Sequence, residues 1–133
     1  MVVLAFAVIF LQVIDGFLAF QNLSTMDLST SCIQACNDCA IKCEACVTDS
    51  AVNGIKECLR WCRDCADLCT LCARFEARGS AFSKKLHDLC AEVCRACAAE
   101  CLKHAAHHET CKSCAKSCAA CAELCEKMAT AGR

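Results

Sequence analysis

The chain has 133 residues and carries a net charge of −1, with 22% charged residues. That length is one domain, and the balance leaves no basic footprint for nucleic acid and no acidic tail. Proline is absent, glycine occurs only four times and cysteine nineteen times, a composition that favours long helices joined by short turns.

Residues 1–20, MVVLAFAVIFLQVIDGFLAF, are apolar up to Asp15 and Gly16. No Lys or Arg precedes Lys42, so the basic region of a secretory signal is missing, and no A-x-A-like cleavage site follows. The run is marginal as a membrane span, which needs about 20 consecutive apolar residues. Composition changes abruptly at 21–27. Residues 1–26 are therefore expected to be an appendage, or an upstream extension of a chain beginning at Met26, with an export signal or anchor as the alternative; 27–133 is the domain proper.

Asp27, Ser29 and Thr30 offer N-caps for a first helix running to about Val47, and Thr48–Gly54 is expected to turn. A second helix spans about Ile55 to Phe75 or Arg78 and stops at Gly79, a natural left-handed terminator. Ser80 or Ser83 is expected to cap a third helix through Cys101 to about His104. After a corner at 107–110, a fourth runs to about Met128. Four such helices with short links give an all-α, antiparallel, up-down-up-down four-helix bundle. The 48–54 and 104–110 turns then share one mouth; the 76–83 turn and the termini share the other.

The cysteines fall in four runs, one per helix: Cys32, Cys36, Cys39, Cys43, Cys46; Cys58, Cys62, Cys65, Cys69, Cys72; Cys90, Cys94, Cys97, Cys101; and Cys111, Cys114, Cys118, Cys121, Cys125. Steps of three and four alternate, the core-facing repeat of packed helices, so the stripe that is normally Leu and Ile is made of thiols. Small neighbours (Ala40, Ala66, Ala98, Ala115, Ala119, Ala122) allow close approach. Charged residues such as Lys42, Arg63, Glu92 and Lys116 lie opposite. The row Ile33, Ala40, Val47, with Leu59, Leu68 and Leu71, either widens the core or forms an oligomer face.

Cysteine at this density usually signals a secreted disulfide scaffold. An odd count, helical rather than loop-rich placement, and helices that fold without staples all oppose that here. A reducing compartment or a metal-loaded chain fits better. Residues three and four apart lie on one helix face with Cβ atoms about 5–6 Å apart, so each of the eight C-x-x-x-C and seven C-x-x-C pairs can clasp one ion. Together they line a continuous tube.

Charge selects the metal. A buried thiolate costs several kcal/mol unless neutralised. Zn²⁺ held by four thiolates leaves two negative charges per site, which is unfavourable when repeated down a dry core. Cu(I) takes two or three soft thiolates, and bridging sulfurs bring the ratio to roughly one ion per thiolate. A zinc or mixed-metal buffer is the alternative, although zinc prefers delimited tetrahedral sets. Iron–sulfur ligation is weaker still, because the C-x2-C-x2-C-x3-C-P run is absent. From another class, a thiol–disulfide redox protein shares the C-x-x-C motif, but a catalytic pair needs one distinctive low-pKa thiol at a helix N-terminus. These fifteen overlapping pairs are mid-helix and interchangeable. The expected role is binding, not catalysis.

Extending the rhythm of the third helix gives His87 before Cys90 and His104 after Cys101. His107 lies four residues before Cys111, and His108 four after His104. His104, His107 and His108, with Asp49 in the facing turn, are expected to cluster at one mouth, where imidazole can capture copper and pass it to Cys46, Cys58, Cys101 and Cys111. The other mouth collects Phe75, Phe82 and Met128 and is expected to be apolar and closed. There Met128 serves as plug or soft ligand, and His87 as a satisfied core or rim residue.

The stretches SCIQACNDCAIKCEAC (31–46), ECLRWCRDCADLCTLC (57–72), LCAEVCRACAAEC (89–101) and TCKSCAKSCAACAELC (110–125) resemble the Cys-rich four-helix-bundle copper storage proteins of bacteria, the Csp family, over residues 27–129. The resemblance implies a homotetramer of bundles, each storing many Cu(I) ions on core cysteines for detoxification or supply. It also implies loading at a His-bearing end, here His104 and His108, and exchange with a copper chaperone or small-molecule copper ligand. Nineteen cysteines resemble the family's cytoplasmic branch. The hydrophobic residues 1–20 depart from that branch; the expected localisation is cytoplasmic, with an exported or membrane-anchored protein as the alternative if they act as a signal or anchor.

Overall fold

Four α-helices carry the chain: α1 Val2–Asn53, α2 Lys56–Ala77, α3 Ser83–Leu102 and α4 Glu109–Thr130. This is a computed structural model that describes the backbone of residues 2–131 and the side chains of 7–19 and 27–131. Each helix packs mainly on two neighbours, α1 on α2 and α4, and α3 on α2 and α4. That ring, closed by short links, is the expected antiparallel bundle.

The helix boundaries correct the sequence reading at α1. It starts at Val2, not at 27–30, and ends at Asn53, not Val47. Nothing between Leu4 and Asp27 breaks a helix except Gly16, and a lone glycine costs only about 1 kcal/mol. Ser, Thr and Asp around 24–30 therefore sit inside a helix their predecessors had already begun. At the far end, Thr48 donates from Oγ1 to the Glu44 carbonyl (3.3 Å), and Asn53 donates from Nδ2 to the Asp49 carbonyl (2.8 Å). These polar side chains bond back along the helix instead of ending it.

Two glycines make the real stops. Gly54 (φ 70°) and Gly79 (φ 62°) are left-handed. After each, an amide reaches five residues back, Ile55 to the Ser50 carbonyl at 2.9 Å and Ser80 to the Phe75 carbonyl at 3.0 Å. This is the Schellman closure. Neither serine caps α3: Phe82 occupies that position without a side-chain cap. Ser80 Oγ instead accepts from the Phe82 amide at 3.2 Å.

The side chains of 7–19 are all exposed, Phe10 at 68% and Val13 at 64%. Among the described residues, no helix is long and apolar enough to cross a membrane. Within the bundle, Ile33, Val47 and Leu68 pack on the thiol core, whereas Leu71 is 40% exposed, so most of that row widens the core stripe. Ala119, expected between helices, is exposed on the rim of the α3–α4 groove.

Candidate metal centre

All nineteen cysteines are at most 1% exposed, and none is in a disulfide. Each helix turns its 3–4 stripe inward and its charged residues outward, so the four stripes meet on the bundle axis. Sulfurs on facing helices lie 3.4–4.0 Å apart, from Cys58–Cys101 at 3.4 Å, through Cys39–Cys118 and Cys43–Cys114 at 3.5 Å, to Cys69–Cys121 at 4.0 Å. With metal–sulfur bonds of about 2.3 Å, a shared ion needs sulfurs roughly 3.8–4.6 Å apart, from tetrahedral to linear. The tube is close to that spacing before any ion arrives.

The sulfurs group in fours whose members all lie within 4.8 Å of one another. Cys36, Cys72, Cys90 and Cys125 form one; Cys39, Cys69, Cys94 and Cys121 the next; Cys39, Cys43, Cys65 and Cys118 another. Cys43, Cys97, Cys114 and Cys118, then Cys46, Cys62, Cys101 and Cys114, continue toward the other end. Cys39, Cys43, Cys114 and Cys118 each belong to two of these sets. Independent four-thiolate zinc sites cannot all form at once from shared ligands, whereas ions bridged by common sulfurs can.

Protons are shared along the same contacts. The hydrogen bond with Cys125 draws the Cys121 thiol down to about 6, and that same bond pushes Cys125 up. Cys39, Cys90 and Cys114 are likewise lowered by sulfur neighbours, while Cys43, Cys94 and Cys101 are raised. Where two thiols share a hydrogen bond, one is drawn down and its partner pushed up. A soft cation that replaces those protons removes the cost of burial.

The two ends are built differently. At the mouth, His104 and His108 are half-buried and His107 is exposed. His104 and His108 each take a carboxylate partner. His104 Nε2 lies 3.2 Å from Glu100 Oε1, and His108 Nδ1 lies 3.6 Å from Asp49 Oδ2. The ion pair with Lys103 holds the Glu100 carboxyl below its usual range. Thr110 donates to Asp49 Oδ2 at 2.6 Å, tying α4 to α1. Ser50, fully buried, stands 3.8 Å from Cys46 Sγ.

The opposite end is not an apolar plug. Met128 is buried in the core cluster, but Phe82 is 63% exposed. His87 takes the closing position at 1% exposure. Its Nδ1 lies 3.2 Å from Cys72 Sγ and 3.7 Å from Cys32 Sγ; its Nε2 lies 2.8 Å from Glu76 Oε2. Ser29 Oγ donates to Glu76 Oε1 at 2.7 Å. Burial opposes charge on His87, but the bonds to Cys32, Cys72 and Glu76 outweigh it and raise the group to about 11. Glu76 is lowered: burial works against its charge, and Ser29 and His87 more than compensate.

Sequence reasoning missed Ser29, Ser50, Glu76 and Glu100, and gave His87 no part in the thiol site. All but Glu100 had a signal. Each thiol stripe continues one step past its last cysteine into another residue: Ser29 and Ser50 on α1, Glu76 on α2, His87 on α3 with His104 just after it, and Met128 on α4 with His108 just before it.

An antiparallel four-helix bundle whose core is a continuous ladder of shared thiols is a multi-site binder of soft metal ions. The copper storage protein family model matches residues 21–130, and the chain belongs to that family. A cysteine-rich protein of Bacillus subtilis strain 168, YhjQ, is 42% identical over 105 residues, spanning 76% of this chain and 95% of that one. The Cu(I)-bound copper storage protein BsCsp3, from the same species, is 40% identical with a TM-score of 0.73 over 77% of this chain and 99% of that one. A cytosolic copper storage protein from Streptomyces lividans, solved with five coppers, is 32% identical with a TM-score of 0.75 over 80% and 95%.

Proposed function

We propose that the bundle stores Cu(I) on its nineteen core cysteines, taking ions up at the mouth bearing His104 and His108 and filing them inward. The observation that carries this is the overlap of buried four-sulfur groups through Cys39, Cys43, Cys114 and Cys118. Shared sulfurs suit a monovalent soft ion that needs only two or three ligands. The copper bound by BsCsp3 and the Streptomyces lividans protein supports the same ion here. The role is binding, for sequestration or supply, with release to a chaperone or small copper ligand. Residues 27–133 are the storage unit and 1–26 are appended to it. Nineteen unpaired thiols favour the reducing cytoplasm. Exposed Ile41, Trp61 and Leu71 supply apolar surface for the tetramer implied by the family resemblance.

The test is an anaerobic Cu(I) titration of reduced protein against a chromogenic chelator, with Zn²⁺ in parallel. Uptake well above roughly ten ions per chain, near one per thiolate, is expected before chelator colour develops. Saturation at about four or five ions, the four-ligand limit, with zinc preferred, overturns copper storage and leaves a zinc buffer.

A further inference from the structure

We propose that Cys32, Cys72 and His87 form a Cu(I) site that ends the thiol ladder, with His87 Nδ1 as ligand and Glu76 as the positioning residue. The inference rests on the copper-storage reading. It adds a nitrogen ligand at the end remote from the three mouth histidines.

The geometry carries it. Both sulfurs face one ring nitrogen, at 3.2 and 3.7 Å. Bonds of about 2.05 Å to nitrogen and 2.3 Å to sulfur place trigonal ligands about 3.8 Å apart, so one ion fits among the three with small side-chain adjustments. The opposite ring nitrogen is held by Glu76 at 2.8 Å, and Glu76 by Ser29 at 2.7 Å. A carboxylate on the far nitrogen keeps its proton on Nε2 and directs the Nδ1 lone pair inward, the usual support of a metal-bound histidine. The ring is only 1% exposed, and an ion set beside Nδ1 would use all three inward-facing groups, the imidazole and both sulfurs. Cys72 also belongs to the set with Cys36, Cys90 and Cys125 and bridges to the rest of the ladder.

Loading balances without redox chemistry. Cu(I) forms one Cu–N and two Cu–S bonds. The proton shared between Nδ1 and Cys72 Sγ leaves, along with any on Cys32, and copper stays monovalent. Substituting neutral imidazole for a third thiolate makes the last site one charge less negative, which suits the dry end of the tube.

The chain has four histidines, so a His104→Ala, His107→Ala, His108→Ala variant leaves His87 as its sole imidazole. ¹⁵N-histidine-labelled variant is titrated with Cu(I) to equilibrium while a chelator counts uptake. Cu(I) is diamagnetic, so the ring remains visible by NMR. The Nδ1 resonance is expected to move to a metal-bound position while Nε2 keeps its proton; an unmoved Nδ1 at saturation overturns the site. In the otherwise natural chain, His87→Gln is expected to bind one ion fewer. Glu76→Gln is expected to keep the count but yield that ion to chelator with affinity weakened about ten- to hundredfold. Unchanged capacity and release in both variants overturns the proposal even if the triple variant fails to fold. Failure of all copper uptake, read by the chelator alone, overturns the storage reading instead.

Discussion

The two ends of the bundle place histidine at the same rhythmic offset from the cysteines of α3, His87 within the helix and His104 in the turn after it, yet treat it in opposite ways. His104 stands half-buried against Glu100, with His108 on Asp49 nearby, whereas His87 is sealed between two thiols and Glu76. Residue type therefore does not decide the role. Water access does: a partly hydrated imidazole can capture and release ions, while a dry one fixed by a carboxylate can only hold what reaches it from within.

The largest effect tests where ions pass. Ser50 is fully buried next to Cys46 at the mouth. Ser50→Leu narrows that opening and is expected to slow Cu(I) uptake about tenfold or more, the effect of roughly 1.4 kcal/mol on a barrier, with final capacity unchanged. Met128→Leu at the other end is expected to leave the rate unchanged. Stopped-flow competition against a chelator reads both, and equal slowing by the two changes would erase the distinction between the ends.

A second test uses pH on the metal-free protein. His87 is raised from 6.5 to about 11 in the folded state. Its stabilising charge is therefore fully present below about 6.5, declines as pH rises, and is gone above about 11. The Tm difference between the natural chain and His87→Gln is expected to be greatest near pH 6 and to shrink steadily on the alkaline side. A difference that grows with pH would show that the ring is buried neutral.

Asp49→Ala removes the partner of Thr110 and His108. Denaturant unfolding is expected to show a loss of about 1–2 kcal/mol, with uptake slowed a few-fold. The smallest effect concerns what the ends share. Gly54→Ala and Gly79→Ala meet no steric obstacle, since nothing lies within 4 Å of an added Cβ, so each should cost only the left-handed penalty of about 1 kcal/mol. Comparable losses in the two variants would show that turn chemistry is common to both ends and that only the site chemistry differs.

Cysteines 32 to 125 announced helix number, core face and ligand class, because a period of three and four residues admits one inward stripe per helix. Boundaries were less legible. Asp27 and Thr48 read as punctuation, but the left-handed Gly54 and Gly79 are what end α1 and α2. Glu76 and Ser29 escaped notice because charged and hydroxyl residues at a helix end look solvated until a neighbour covers them.

By itself the sequence determined an all-α bundle with a thiol core and the soft metal that core suits, since these follow from spacing and side-chain chemistry within single helices. Only the tertiary structure decided which sulfurs group in fours, that Glu100 and Asp49 are the partners of His104 and His108, and that His87 stands against Cys32 and Cys72. The physical reason is that these contacts join residues on different helices or depend on which side chains are shut away from water. Those relations exist only once the helices have packed.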